Sequence, residues 1–175
     1  MTPAARLQAA IEVIDRVIAG DAAEKALTNW ARGARYAGSK DRAAVRDHVF
    51  DVLRMWRSTA ALGGGETGRA RILGLLRAQG VASEVLFTGE GHAPARLSDS
   101  DGPGETPRGF AAWDLPDWIG ARLSEGYGDQ ARSIAEALQS RAPVFLRVNL
   151  LKADVATARE ALWAADIHTE PHTLS

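Results

Sequence analysis

Apolar side chains return every three or four positions from Leu7 to Leu76, and this period most limits what the chain can build. Leu7, Ile11, Ile14, Val17 and Ile18 fall on one face of a helix over residues 4–19, which Gly20 closes. Asp21 with Glu24 has the spacing of a capping box and opens a second helix carrying Ala26, Leu27 and Trp30 inward. Gly33 to Gly38 interrupts that helix, and Ser39 suits the N-cap of a third. The third helix puts Ala44, Val45, His48, Val49, Val52, Leu53 and Trp56 on one side and Lys40, Arg42, Asp47, Asp51 and Arg54 on the other. GGGETG, 63–68, reads as a flexible link, and Ile72, Leu73, Leu75 and Leu76 mark a fourth helix. A short apolar stretch surrounds Val85 and Leu86. The Gly-, Pro-, Ser- and Asp-rich run 89–109 reads as a long irregular loop, functional or mobile.

Past the loop the period changes. Pro116 suits the first turn of a helix whose apolar face is Ile119 and Leu123 and which Gly126 to Gly128 ends; another helix runs over about 129–140. PVFLRVNLLKAD, 143–154, then departs from helical spacing. VFLRVNL alternates as a strand does, with Val144, Leu146, Val148 and Leu150 toward a core. Asp154 caps a helix over DVATAREALWAAD, and HTEPHTL reads as a second strand. The expected fold class is mainly α: a helical bundle, then a partial α/β subdomain of β-α-β type. The boundaries read as a bundle over 1–110, linking helices over 111–142 and the start of the subdomain over 143–175.

The 175 residues contain no cysteine, which excludes disulfides, thiolate metal sites and a cysteine nucleophile within the chain and fits a reducing cytoplasm. No apolar run is long enough for a membrane span, and MTPAARLQAA is not a secretory leader. The formal net charge of −1 hides a segregation. Between Trp30 and Arg57 lie Arg32, Arg35, Lys40, Arg42, Arg46, Arg54 and Arg57 against Asp41, Asp47 and Asp51, whereas acids outnumber bases from Glu84 to Glu136.

RYAGSKDRAAVRDHVFDVLR resembles the RNA-binding helical domain of the NusB type. DLPDWIGARLSEGYGDQARSIAEALQSRAPVFLRVNLLK resembles the segment that follows such a domain in the RsmB-like (Sun, or Fmu) rRNA cytosine methyltransferases. The family pattern falls on Pro116, Trp118, Tyr127, Gly128, Pro143, Arg147, Val148, Asn149 and Lys152. The resemblance implies a NusB-like bundle, then the first part of an RRM-like β-α-β subdomain, with the chain ending before the catalytic domain. The family's Gly-Gly-Lys cofactor turn and its two active-site cysteines are absent. Methylation at pyrimidine carbon 5 needs a covalent thiolate adduct. The resemblance therefore implies a longer parent that is an S-adenosylmethionine-dependent rRNA cytosine-C5 methyltransferase, with this chain alone inactive and holding no cofactor.

Arg32, Arg35, Lys40, Arg42 and Arg46 are the candidate RNA contacts of the helical part, since clustered bases and helix N-termini meet phosphates. The alternative is a solvated helix face in which Asp41, Asp47 and Asp51 pair locally. Arg147 and Asn149, two apart on a strand, would share a face; with Lys152 they complete the RNA-binding set that the resemblance implies. His168, Glu170 and His172 are ligand types without an evident further ligand, so no metal is expected. DSDGPGE lacks the ligands of a calcium loop. His48 reads as a core or boundary histidine, Trp30 and Trp56 as core, and Trp113 and Trp118 as ties between the two parts. The expected partners are rRNA, the parent's own catalytic domain and, through an uncovered sheet edge, a second copy; no membrane is expected. Two other readings stay open: a stand-alone NusB-like RNA-binding adaptor without enzymatic activity, and a protein-interaction bundle whose basic face meets an acidic partner.

Overall fold

The computed structural model describes residues 1–172 and divides the chain into two compact units, Met1–Arg141 and Ala142–Ser175. The larger unit contains α1 (Pro3–Ile18), α2 (Ala23–Gly33), α3 (Ser39–Arg54), α4 (Trp56–Gly63), α5 (Gly68–Ala78), α6 (Asp117–Tyr127) and α7 (Ala131–Leu138); the smaller contains α8 (Val155–Ala164). No described helix is long and apolar enough to cross a membrane.

The core forms where the helical period says it should. Leu7, Ile11 and Ile14 of α1, Ala26 and Leu27 of α2, Val45, Val49 and Val52 of α3 and Ile72, Leu73, Leu75 and Leu76 of α5 are buried together. Burial of this apolar surface is the main stabilising term. Trp30 and Trp56 pack against its margin. In the stretch around Val85 and Leu86 it is Phe87 that enters the core, at 2% exposure, while Val85 stays out.

Local chemistry departs from expectation at several helix ends. The cap of α2 is Ala22, without a side-chain bond, and Asp21 instead accepts from Lys25 Nζ at 3.0 Å. Ser39 is already helical, behind Gly38, whose N–H donates to Asp41 Oδ2 at 3.2 Å. The third helix stops at Arg54, and Trp56 begins a separate α4 that the unbroken apolar pattern concealed.

GGGETG is not a flexible link. A Cβ on Gly63 would stand 1.8 Å from the Ala70 carbonyl oxygen, and one on Gly74 would stand 1.9 Å from that of Thr59. The two glycines form a seam where the backbones of α4 and α5 meet without intervening side chains. Gly64, at φ +77°, closes α4 in the left-handed conformation.

The long run 89–109 is likewise pinned. Arg77 donates to the carbonyls of Leu62, Asp101 and Gly102 at 2.7, 3.2 and 2.8 Å. Arg69 Nε donates to Asp101 Oδ1 at 2.6 Å, and the Glu105 N–H donates to the Ala61 carbonyl at 2.8 Å. Of the carboxylates in the apparent calcium loop, that of Asp101 is thus committed to an arginine.

Asp114 joins the linking segment to the bundle. Its Oδ1 accepts from the backbone N–H groups of Arg57 and Ser58 at 2.8 and 2.7 Å, capping α4 from outside the helix. Its Oδ2 accepts from Ser58 Oγ at 2.8 Å and from Gln139 Nε2 at 2.9 Å. Asp114 holds φ +55°, which aspartate tolerates better than most residues. Trp113 meets Phe110 edge-on at 5.2 Å, whereas Trp118 is 71% exposed.

In the smaller unit Asp154 caps α8 as expected, accepting from the Thr157 N–H at 2.7 Å. The β-α-β expectation fails: the described residues contain no strand. Val144, Leu146 and Leu150, expected in a core, are 79, 63 and 76% exposed. A strand exists through its ladder, and no backbone hydrogen bond joins the segment around 143–150 to that around 167–172. The expected dimer through a sheet edge therefore has no sheet to form on among the described residues. The last two residues of HTEPHTL, 173 and 174, lie outside the described residues.

Candidate functional site

Two buried alanines build the turn between α2 and α3. Ala34 and Ala37 are 3 and 4% exposed, and the Ala37 N–H donates to the Ala34 carbonyl at 3.0 Å. Residues 34–37 thus form a hydrogen-bonded β-turn whose two corners, Arg35 and Tyr36, are exposed. The Ala34 N–H donates to Trp30 O at 2.9 Å, and Arg42 Nε reaches back from α3 to Ala37 O at 3.0 Å. The turn is fastened to both helices it connects.

Of the three acids set against the surrounding bases, Asp41 is used elsewhere, while Asp47 and Asp51 pair locally. Asp41 accepts from Arg6 Nε at 2.9 Å and from the Met1 amine at 3.2 Å, tying the start of α1 to the start of α3. These contacts, the Met1 amine foremost, hold its carboxyl below the usual carboxylate range. Asp51 pairs with Arg54. Asp47 lies 3.3 Å from Arg46 and 4.0 Å from Arg141. Among the described residues Arg32, Arg35 and Lys40 are exposed and make no side-chain hydrogen bond or ion pair. The structure thus separates the five candidate bases of the helical unit. Arg32, Arg35 and Lys40 are uncommitted, Arg42 spends one N–H on the turn, and Arg46 is shared with Asp47.

His48 is half-buried on the inner side of α3, and desolvation pushes its imidazole below the ordinary value against the pull of Asp51 and Asp47. A cleft of about 540 Å³ lies elsewhere in the larger unit, against Trp56, Arg57, Glu66 and Arg71. Its arginines are committed: Arg71 stacks 3.7 Å over Trp56 and pairs with Glu66, and Arg57 pairs with Asp117 at 2.7 Å. Arg71 is 2% exposed, so its guanidinium serves packing.

The remaining expected contacts belong to the smaller unit. Arg147, Asn149 and Lys152 are all exposed. Asn149 does not share a strand face with Arg147. Its Oδ1 accepts from the Leu151 N–H at 3.1 Å, and its carbonyl accepts from those of Lys152 and Ala153 at 2.9 and 3.1 Å. It organises the turn that leads to the α8 cap. His168 lies edge-on to Trp163 at 4.8 Å and 3.4 Å from Asp166, and His172 lies edge-on to Phe145 at 5.1 Å. No three His, Asp or Glu among the described residues come together as a metal site.

Sequence reasoning missed Asp114 and Tyr36. The first carries a readable signal, an Asp placed shortly before Pro116 and a helix; the second had only its place between glycines and bases.

Residues 115–175, which include α6, α7 and the whole smaller unit, match the family model described as the RsmF/B-like methyltransferase, ferredoxin-like domain. The resemblance to the N-terminal region of an RsmB-like (Sun/Fmu) methyltransferase holds in this segment, which is related to rRNA methyltransferases. Among curated proteins, ribosomal RNA small subunit methyltransferase B of Yersinia pseudotuberculosis is 39% identical over 59 residues, 34% of this chain and 14% of the relative. The protein of the same name from Yersinia pestis bv. Antiqua (strain Angola) is 37% identical over 59 residues, with the same shares of each chain. The matched length is thus about a seventh of these relatives. No solved structure matches.

Proposed function

We propose that this chain is the RNA-binding N-terminal region of an S-adenosylmethionine-dependent rRNA 5-methylcytosine methyltransferase, a cytoplasmic protein, and that its helical unit, NusB-like in kind, holds rRNA for a catalytic domain elsewhere in the parent. The observation that carries this reading is a fixed turn with three uncommitted bases in it and in the helix ends it joins, in a chain whose later segment matches the RsmF/B-like ferredoxin-like domain. Unpaired, exposed cations on a rigid frame are what phosphate recognition needs. Arg32, Arg35, Lys40 and Arg42 meet RNA phosphates; Arg46, Arg147, Asn149 and Lys152 contribute less, each being paired, turned to local structure or on the smaller unit.

Methyl transfer does not run through these residues. The cofactor would supply the methyl group, but the sequence lacks both the cysteine nucleophile and the Gly-Gly-Lys turn, so the donor set for that chemistry does not fit this chain. The chain alone is inactive, and its role is positional.

The test is binding of a small-subunit rRNA fragment to the whole chain and to the double variant Arg35→Glu/Lys40→Glu, read by fluorescence anisotropy. The reading expects the variant to lose at least tenfold in affinity while keeping its helical circular dichroism. Unchanged affinity in a folded variant contradicts it.

A further inference from the structure

Tyr36 is the least explained side chain of the turn. It is 73% exposed, although the residues flanking the pair Arg35 and Tyr36, Ala34 and Ala37, are nearly sealed from solvent. Turn corners ordinarily carry Gly, Asn, Asp, Ser or Pro, each for a backbone reason. Tyr36 has no such reason: its φ is not positive. It makes no hydrogen bond, ring contact or cation contact among the described residues. The Ala37 N–H to Ala34 carbonyl bond and the Arg42 Nε clamp on Ala37 fix the backbone beneath it, so its ring stands on a preorganised support. Arg35 precedes it directly, and the uncommitted Arg32 and Lys40 lie four residues to either side.

An exposed aromatic ring with unpaired cations close before and after it in the chain has a specific chemical complement. Bases that are not stacked in a duplex offer a π-face, and their flanking phosphates meet the cations. A continuous duplex offers phosphates but no accessible base face. An acidic protein offers charge without requiring a ring.

We propose that Tyr36 is a stacking platform for an unpaired RNA base, with Arg32, Arg35 and Lys40 holding the phosphates on either side, so that the helical unit reads a single-stranded or looped segment. This rests on the RNA-binding reading above and narrows it to a substrate class.

The experiment measures binding of the full chain to a short single-stranded RNA and to a blunt RNA duplex containing the same strand, with 2-aminopurine substituted in the single strand as a stacking reporter. Wild type, Tyr36→Ala, Tyr36→Phe and Arg35→Glu/Lys40→Glu are compared. The expected result is a preference of wild type for the single strand. Tyr36→Ala loses about tenfold there and loses the 2-aminopurine change, with duplex binding untouched. Tyr36→Phe behaves as wild type, and the charge-reversed variant loses both ligands. If Tyr36→Ala binds the single strand as wild type does while the charge-reversed variant fails, the platform is wrong and the RNA reading survives. If wild type binds neither RNA, or binds heparin equally well and indifferently to Tyr36, both fall, and an acidic partner becomes the occupant.

Discussion

Asp114 caps a helix that begins at Trp56. Its carboxylate accepts the Ser58 N–H at 2.7 Å and the Ser58 hydroxyl at 2.8 Å, binding the segment before α6 to the start of α4. The same carboxylate holds Gln139, just beyond α7, so one side chain gathers three parts of the larger unit.

Asp114→Ala leaves two α4 N–H groups and the Ser58 hydroxyl without their acceptor. The expected cost is about 2 kcal/mol, read as a lowered urea midpoint. Asp114→Asn, which keeps an acceptor oxygen and tolerates the positive φ, recovers part of it. Equal midpoints for wild type and Asp114→Ala would remove Asp114 from this role.

Gly74→Ala tests the seam. Helix propensity alone stabilises alanine over glycine by about 1 kcal/mol. The approach of the Thr59 carbonyl oxygen to 1.9 Å from the new Cβ opposes this. Forcing α4 and α5 apart costs about 2 kcal/mol or more, so the net sign is destabilising. A stabilised Gly74→Ala protein would show that the two backbones do not meet there.

The Arg69–Asp101 pair sets an acid limit. Hydrogen bonding from Arg69, with the Ser98 N–H helping, lowers the Asp101 carboxyl from 3.8 to about 2. A depressed folded value means the stabilisation is full above pH 3.8 and is lost as pH falls toward about 2. Solvent screening keeps it on the order of 1 kcal/mol. Asp101→Asn should be less stable at neutral pH by that amount and should flatten this part of the acid-unfolding profile. A wild-type profile that overlays the variant's throughout would contradict the pairing.

His48 works at higher pH. Its imidazole, lowered chiefly by desolvation, stays neutral in the fold below the ordinary 6.5, where the unfolded chain takes up a proton. Stability should therefore fall as pH drops below 6.5, until the folded imidazole also protonates. His48→Gln removes that slope; thermal melts between pH 7 and pH 5 measure it, and an unchanged slope in the variant would assign it to other groups.

What was legible in the sequence is what neighbours along the chain decide. The faces of α1, α3 and α5 follow from three- and four-residue spacing, and Asp154 caps α8 because its partner is three residues away. Features decided across the chain were hidden. Trp56 continues the apolar pattern of α3, so nothing local marks the break at Met55. Gly63 reads as a link until Ala70 is seen against it. VFLRVNL has the alternation of a strand, but a ladder partner is a non-local fact, and the alternation meets none among the described residues. The basic cluster was legible as composition. Which of its members are free was not, because that depends on Asp41 turning to Met1 and Arg6.

The most direct test of the central claim is the salt dependence of RNA binding by the whole chain. The account predicts a linear fall of log K with log salt concentration, and a slope made shallower by about 0.7 for each of Arg32, Arg35 and Lys40 replaced by alanine when the RNA is single-stranded. A slope that these replacements leave unchanged would contradict it, placing the phosphates on another face of the protein.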